Sequence, residues 1–185
     1  MKVVVITHDA DFTGAPRMAF DIANDLQRDH EVTVLSKRDG PLIELPKYGG
    51  LKGSYKVTET SHLGGHIPFN ERVRRAVKVL DEIKPGLVYA NSCGSAEWCV
   101  AAHRMGIPSV LHTHEMLQGL MSLSAADVLK FDIPKYVDLL VSASREATDD
   151  FLKATTGSAR RYVQFGVAID IDYVREVALV EVVPP

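Results

Sequence analysis

The chain opens on an apolar run, Val3-Val4-Val5-Ile6, with no polar residue alternating into it. A run of that kind suits a strand covered on both faces, as in a parallel sheet. A polar turn from His8 to Gly14 follows, and apolar residues then recur at Met18, Ala19, Ile22, Ala23 and Leu26, the spacing of one helical face. Pro16 fits the first position of that helix, where its missing N–H costs no hydrogen bond. Residues 31–36 read as a second strand broken by Asp39-Gly40-Pro41, so the opening is a right-handed strand-helix-strand unit.

The same alternation continues. Residues 42–48 predict a short helix ended by Gly49-Gly50, residues 54–58 a strand towards a sheet edge, and residues 61–68 an irregular loop. Phe69, Val73, Ala76, Val77, Leu80 and Ile83 share one helical face; Asn70 is the expected N-cap and Pro85 the stop. A strand over 86–91, a helix over 92–105 closed by Gly106 and a strand over 107–112 come next. Ser124 and Asp127 resemble a capping box opening a short helix to about Phe131. A strand at 137–142, a helix capped by Ser144 and running to Lys153, and a strand at 160–164 complete the pattern. It predicts an α/β fold, an open and mainly parallel sheet with helices on both faces.

Composition narrows the function classes. A length of 185 residues suits one domain, and a net charge of -3 argues against non-specific nucleic-acid binding, which needs a clustered basic surface. Cys93 and Cys99, six apart in one expected helix, form neither a disulfide there nor a metal-ligand pattern, so a reducing, cytoplasmic setting is expected. The amino terminus shows no signal-peptide pattern and no run reaches about 18 apolar residues, which leaves at most peripheral membrane contact. The basic residues Arg72, Arg74, Arg75 and Lys78 opposite the apolar face of the 69–83 helix are the candidate for it; a merely solvated face is the simpler reading.

Two stretches carry candidate chemistry. Gly14, before a helix start with free amides, lets the backbone approach an anionic ligand, though it also serves simply to tighten the turn. His112, Thr113, His114 and Glu115 lie where a buried strand ends, and in open parallel sheets ligands bind outside those carboxyl ends. His62 and His66 sit in a glycine-rich loop without a third ligand, and no metal site is expected. No G-x-G-x-x-G follows the first strand and no G-x-S-x-G elbow occurs, which disfavours a dinucleotide-dependent dehydrogenase and a serine hydrolase.

Taken in order, Thr13-Gly14-Ala15-Pro16, Asp39-Gly40-Pro41-Leu42, Lys84 to Asn91, Gly106-Ile107-Pro108 with His112 to Glu115, Val137 to Ser144, and Gly166-Val167 before Asp170 form a recognisable set. The sequence resembles the amino-terminal domain of a GT-B-fold glycosyltransferase of the group 1 type, retaining family four. The resemblance implies one Rossmann-like half of a two-domain enzyme: residues 1–166 as the acceptor-side domain and 167–185 as a linker towards a C-terminal donor domain, in cis or in trans. It implies a nucleoside-diphosphate sugar as donor substrate, a carbohydrate or lipid-linked acceptor, no separate cofactor and no metal. Carried over, Thr13, Gly14 and Ala15 lie near the donor phosphates. His114 faces the donor sugar as the catalytic residue, Glu115 supports its loop, and Asn91, Ser144 and Arg145 line the substrate cleft. Phe165 stands where many relatives have asparagine. No glutamate here has another eight positions on, so the family's catalytic glutamate pair is absent and this chain alone is expected to be inactive. A stand-alone binding or regulatory module, or half of a GT-B epimerase or phosphorylase, is the alternative.

Overall fold

The computed structural model describes residues 1–58, 67–125, 128–155 and 162–164. Among the described residues the strands are seven: β1 (Lys2–Thr7), β2 (Glu31–Ser36), β3 (Tyr55–Val57), β4 (Leu87–Asn91), β5 (Ser109–Thr113), β6 (Leu139–Ser142) and β7 (Tyr162–Gln164). All pair in parallel, in the order β3-β2-β1-β4-β5-β6-β7. The α-helices are α1 (Gly14–Leu26), α2 (Phe69–Ile83), α3 (Ala96–Arg104), α4 (Leu117–Ala125) and α5 (Arg145–Ala154). This is a Rossmann-like sheet, and β3 lies at its edge as the pattern predicts.

The apolar opening run explains itself in the packing. Val3 and Val5 join Ala19, Phe20 and Ala23 of α1 on one face, while Val4 and Ile6 join Val73 and Leu80 of α2 and Trp98 of α3 on the other. With a helical layer on each face, every residue from Val3 to Ile6 is fully buried. Alternation would have placed polar groups in one of the two cores. Trp98 and Cys99 are core residues, as expected, and both cysteines are free and buried.

Chain order reverses at β1. From there the chain steps outward to β2 and β3, then crosses to β4 on the opposite side and proceeds to β7. The carboxyl ends of β1 and β4 therefore flank the switch point, the place where open α/β sheets leave a crevice.

Several local expectations are corrected. Helix α1 starts at Gly14, so Pro16 is its third residue; no bond is lost, because the first bond into the turn runs from Arg17 N to Thr13 O (3.2 Å). The N-cap of α2 is Pro68, not Asn70, because buried Phe69 already belongs to the helix. Residues 92–105 divide into a 3-10 turn, Cys93–Ser95, and α3, and residues 42–48 into two 3-10 segments, Pro41–Glu44 and Pro46–Ser54, the second passing through Gly49-Gly50. Residue 124 lies in the last turn of α4, with only a 3-10 turn, Val128–Lys130, beyond; Asp127 falls outside the described residues. So do the 61–66 loop with His62 and His66, and the 167–185 stretch. Gly106 does close α3: at φ +69° it donates to His103 O (3.1 Å) while Ile107 N donates to Ala102 O (2.9 Å).

Candidate functional site

The carboxyl ends of the strands carry a buried polar assembly. After β1, Thr7 Oγ1 donates to Asp9 O (2.9 Å), and the Asp9 carboxylate receives Arg38 (2.8 Å) and Asp11 N (3.3 Å), with His8 Nε2 at 3.3 Å. The turn after β2 closes tightly on this loop. A Cβ at Gly40 would meet Ala10 C and O at 2.5 Å, so only glycine fits, and Leu42 N donates to Ala10 O (2.9 Å). Close approach, beyond breaking the strand, is what Gly40 supplies.

After β4 and β5 the side chains interlock. Asn91, fully buried, donates through Nδ2 to Ala15 O (2.8 Å) and meets His114 Nε2 through Oδ1 (2.9 Å). Glu115 accepts from Ser92 Oγ, from Cys93 N (3.1 Å) and from His114 N (3.0 Å). Ser92 holds φ 80° and ψ 140°, a conformation suited to glycine, and persists there because its Oγ also accepts from Gly94 N (3.1 Å) and its N donates to His112 O (2.7 Å). The ring of His112 lies over that of His114 with centroids 4.1 Å apart, and its Nδ1 meets Tyr89 OH at 2.7 Å. Beneath, buried Lys37 pairs with fully buried Glu97 of α3 (2.5 Å) and donates to Gly94 O; Arg72 lies 4.0 Å from Glu97.

Burial controls the charges. It holds the pKa of His114 below its ordinary value, with His8 adding to the effect against the opposing attraction of Glu115. Burial likewise lowers His8, and takes His112 to about 4 with help from His114. All three rings are neutral at pH 7. Glu115 is pushed up by burial, but the donors from Ser92, Cys93 and His114 outweigh this and leave it below the usual carboxylate value. The result is a Glu115 anion fixed beside the neutral imidazole of His114.

The structure brings the sequence-predicted residues to one edge. Thr13 and Gly14 are exposed at the start of α1, and a Cβ at Gly14 would meet only open space, so no contact within the described protein demands glycine there. Ala15, Asn91, His114 and Glu115 form the interlocked centre. Ser144 caps α5 by accepting from Ala147 N (3.1 Å), and Arg145 is exposed beside it. Missed were Asp9, Ser92, Lys37 and Glu97. Glu97 alone left a signal, a carboxylate inside the apolar stretch Ala96 to Ala102, all of it buried. Among the described residues no three His, Cys, Asp or Glu side chains are grouped to hold a metal ion, and no helix is long and apolar enough to cross a membrane. On α2, Arg72 turns inward over Phe69, while Arg74 (2.6 Å) and Arg75 (3.2 Å) pair with Glu71.

Fold and site together define a Rossmann-like α/β domain: a parallel sheet with its polar residues gathered at the switch point. A model of the Glycosyltransferase Family 4 family matches residues 12–167, and the chain belongs to that family. No curated protein matches it in sequence. Solved structures do. HepE of Anabaena in complex with UDP-glucose superposes with a TM-score of 0.69 at 21% identity, over 93% of this chain and 45% of that one. The lipopolysaccharide outer core galactosyltransferase WaaB in its apo form gives 0.64 at 14%, over 92% and 47%. The UDP-GlcNAc 2-epimerase of Neisseria meningitidis bound to UDP-GlcNAc gives 0.62 at 12%, over 97% and 50%. The chain thus spans half or less of each neighbour's length.

Proposed function

We propose that residues 1–166 are the acceptor-side domain of a retaining glycosyltransferase. It moves a sugar from a nucleoside-diphosphate sugar to a carbohydrate or lipid-linked acceptor. Residues 167–185 lead towards a donor-binding C-terminal domain, in cis or in trans, without which the chain is inactive. The reading places the enzyme in the cytoplasm, with peripheral membrane contact only if the acceptor is lipid-linked.

The observation that carries it is the junction at the switch point, where Asn91 ties the start of α1 to His114 beside open space at Gly14. A departing nucleoside diphosphate gains negative charge, and preorganised amides aimed at it stabilise it most where water is excluded. In this role Thr13, Gly14 and Ala15 bring the backbone to the phosphates. His114, neutral and held, orients a donor-sugar hydroxyl beside the reacting carbon. Glu115 fixes the loop that carries it, and Ser144 and Arg145 line the acceptor side. UDP sugars in the neighbouring structures make a uridine donor the first to try. Family membership favours transfer over epimerisation, although the epimerase shares the architecture.

Calorimetric titration with uridine, guanosine and adenosine diphosphate sugars tests the reading. This chain alone should bind none tightly, and binding should appear once a donor domain is joined to it. Tight binding by this chain alone would instead make it a self-sufficient module.

A further inference from the structure

The orientation of the Asn91 side chain is forced by its neighbours. The Ala15 carbonyl only accepts hydrogen bonds, so the atom 2.8 Å from it must be the amide nitrogen; a carbonyl oxygen there would be repelled. Oδ1 then faces His114 Nε2 at 2.9 Å. Because Oδ1 accepts and cannot donate, Nε2 must carry a hydrogen. A neutral imidazole has one N–H, so the remaining nitrogen, Nδ1, is a bare acceptor.

We propose that Asn91 is a positioning residue that locks His114 as its Nε2–H tautomer, so that the site offers a substrate hydroxyl an acceptor and not a donor. No described residue hydrogen-bonds His114 Nδ1, and the His112 ring, tilted by 35° with its centroid 4.1 Å away, restrains the imidazole. Neutrality follows from burial, with His8 opposing protonation and Glu115 favouring it. Asn91 thereby couples two loops. The turn that carries Ala15 thus also sets which way a proton points at His114.

A selectivity follows. A hydroxyl that donates into Nδ1 cannot be replaced by fluorine or methoxy, which accept but do not donate, any better than by hydrogen. An N–H at Nδ1 would have tolerated both. That the hydroxyl belongs to a sugar rests on the function proposed above; the tautomer does not.

Long-range 15N–1H correlation spectra of the histidine-labelled 185-residue chain at pH 7.5 decide the point, with the His114 signals assigned by their loss in His114→Gln. The expected result is a protonated Nε2 and an unprotonated Nδ1 in the wild type, and a several-fold rise of the Nδ1–H form in Asn91→Ala. A wild-type His114 that is Nδ1–H or doubly protonated overturns the proposal. So does an Asn91→Ala protein with an unchanged tautomer ratio, since a residue that only braces the fold would not move it. Should Asn91→Ala fail to fold, the wild-type spectrum alone gives the decision, since an Nε2–H signal with a bare Nδ1 supports the lock and an Nδ1–H or doubly protonated ring overturns it. None of these readouts needs transferase activity, so failure of the catalytic reading stays separate from failure of the tautomer lock.

Discussion

At the amino-terminal ends of the strands, backbone groups do most of the joining: Glu31 N donates to Met1 O (3.0 Å) and Gly86 N to Lys2 O (2.9 Å). The ion pair there, Lys2 with Glu31 at 3.6 Å, is exposed on both sides. At the carboxyl ends of β4 and β5 side chains join the loops, from the buried Asn91 and Ser92 to the half-buried His114 and Glu115, with Ser92 in a conformation that favours glycine. The two ends belong to the same strands and the same hydrophobic layers. Each end has a non-glycine residue at positive φ, Lys84 before β4 and Ser92 after it, and Asp138 reaches Ser109 N at the amino end. What separates the ends is the linked side-chain cluster of Asn91, Ser92, His114 and Glu115, which marks the carboxyl end as the working face.

The contrast breaks most severely at Glu115. Removing its carboxylate strands donors from Ser92, Cys93 and His114, so Glu115→Ala should cost about 3–5 kcal/mol in urea unfolding, with Glu115→Gln milder. Ser92 sharpens the argument about strain. Ser92→Ala loses the hydroxyl and keeps the strained backbone, whereas Ser92→Gly loses the hydroxyl but relieves it, so the glycine variant should be more stable than the alanine variant by about 1–2 kcal/mol.

Acid should act on the same face. His112 stays neutral in the fold down to about 4, while in the unfolded chain it takes a proton near its ordinary 6.5. Between those values the unfolded state binds more protons, so stability falls as pH drops from 6.5 towards 4, by roughly 3 kcal/mol from this ring. His8 and His114, both lowered by burial, push in the same direction. Thermal melts across that range should show the loss; flat melting temperatures would contradict the buried, neutral cluster. At the opposite ends of the strands Glu31→Ala should change stability by less than about 0.5 kcal/mol, because its ion pair is solvated.

Long, periodic elements were legible in the sequence, and contacts between distant loops were not. The unbroken run of β1 and the apolar face of α2 follow from local pattern, as does Gly106 closing α3. Helix α4 was overlooked although Leu117, Leu120 and Met121 have helical spacing; the polar residues between them masked it. Asn91 and His114 were each singled out, but their pairing depends on sheet register, which sets Asn91 opposite His112 and so brings the residue two further on within reach. Ser92 gives no sequence sign of its positive φ, since what holds it comes from Glu115 in another loop. Lys37 and Glu97 likewise meet only after folding.

The most direct test of the account joins this chain to a donor-binding domain and measures sugar transfer from labelled UDP-glucose, comparing the parent with His114→Ala after both are shown to be folded. The account predicts transfer by the joined protein and a loss of about 100-fold or more in the rate of the variant. Transfer that continues unchanged without the His114 imidazole would mean that the chemistry lies elsewhere and that the carboxyl-end assembly only holds the fold together.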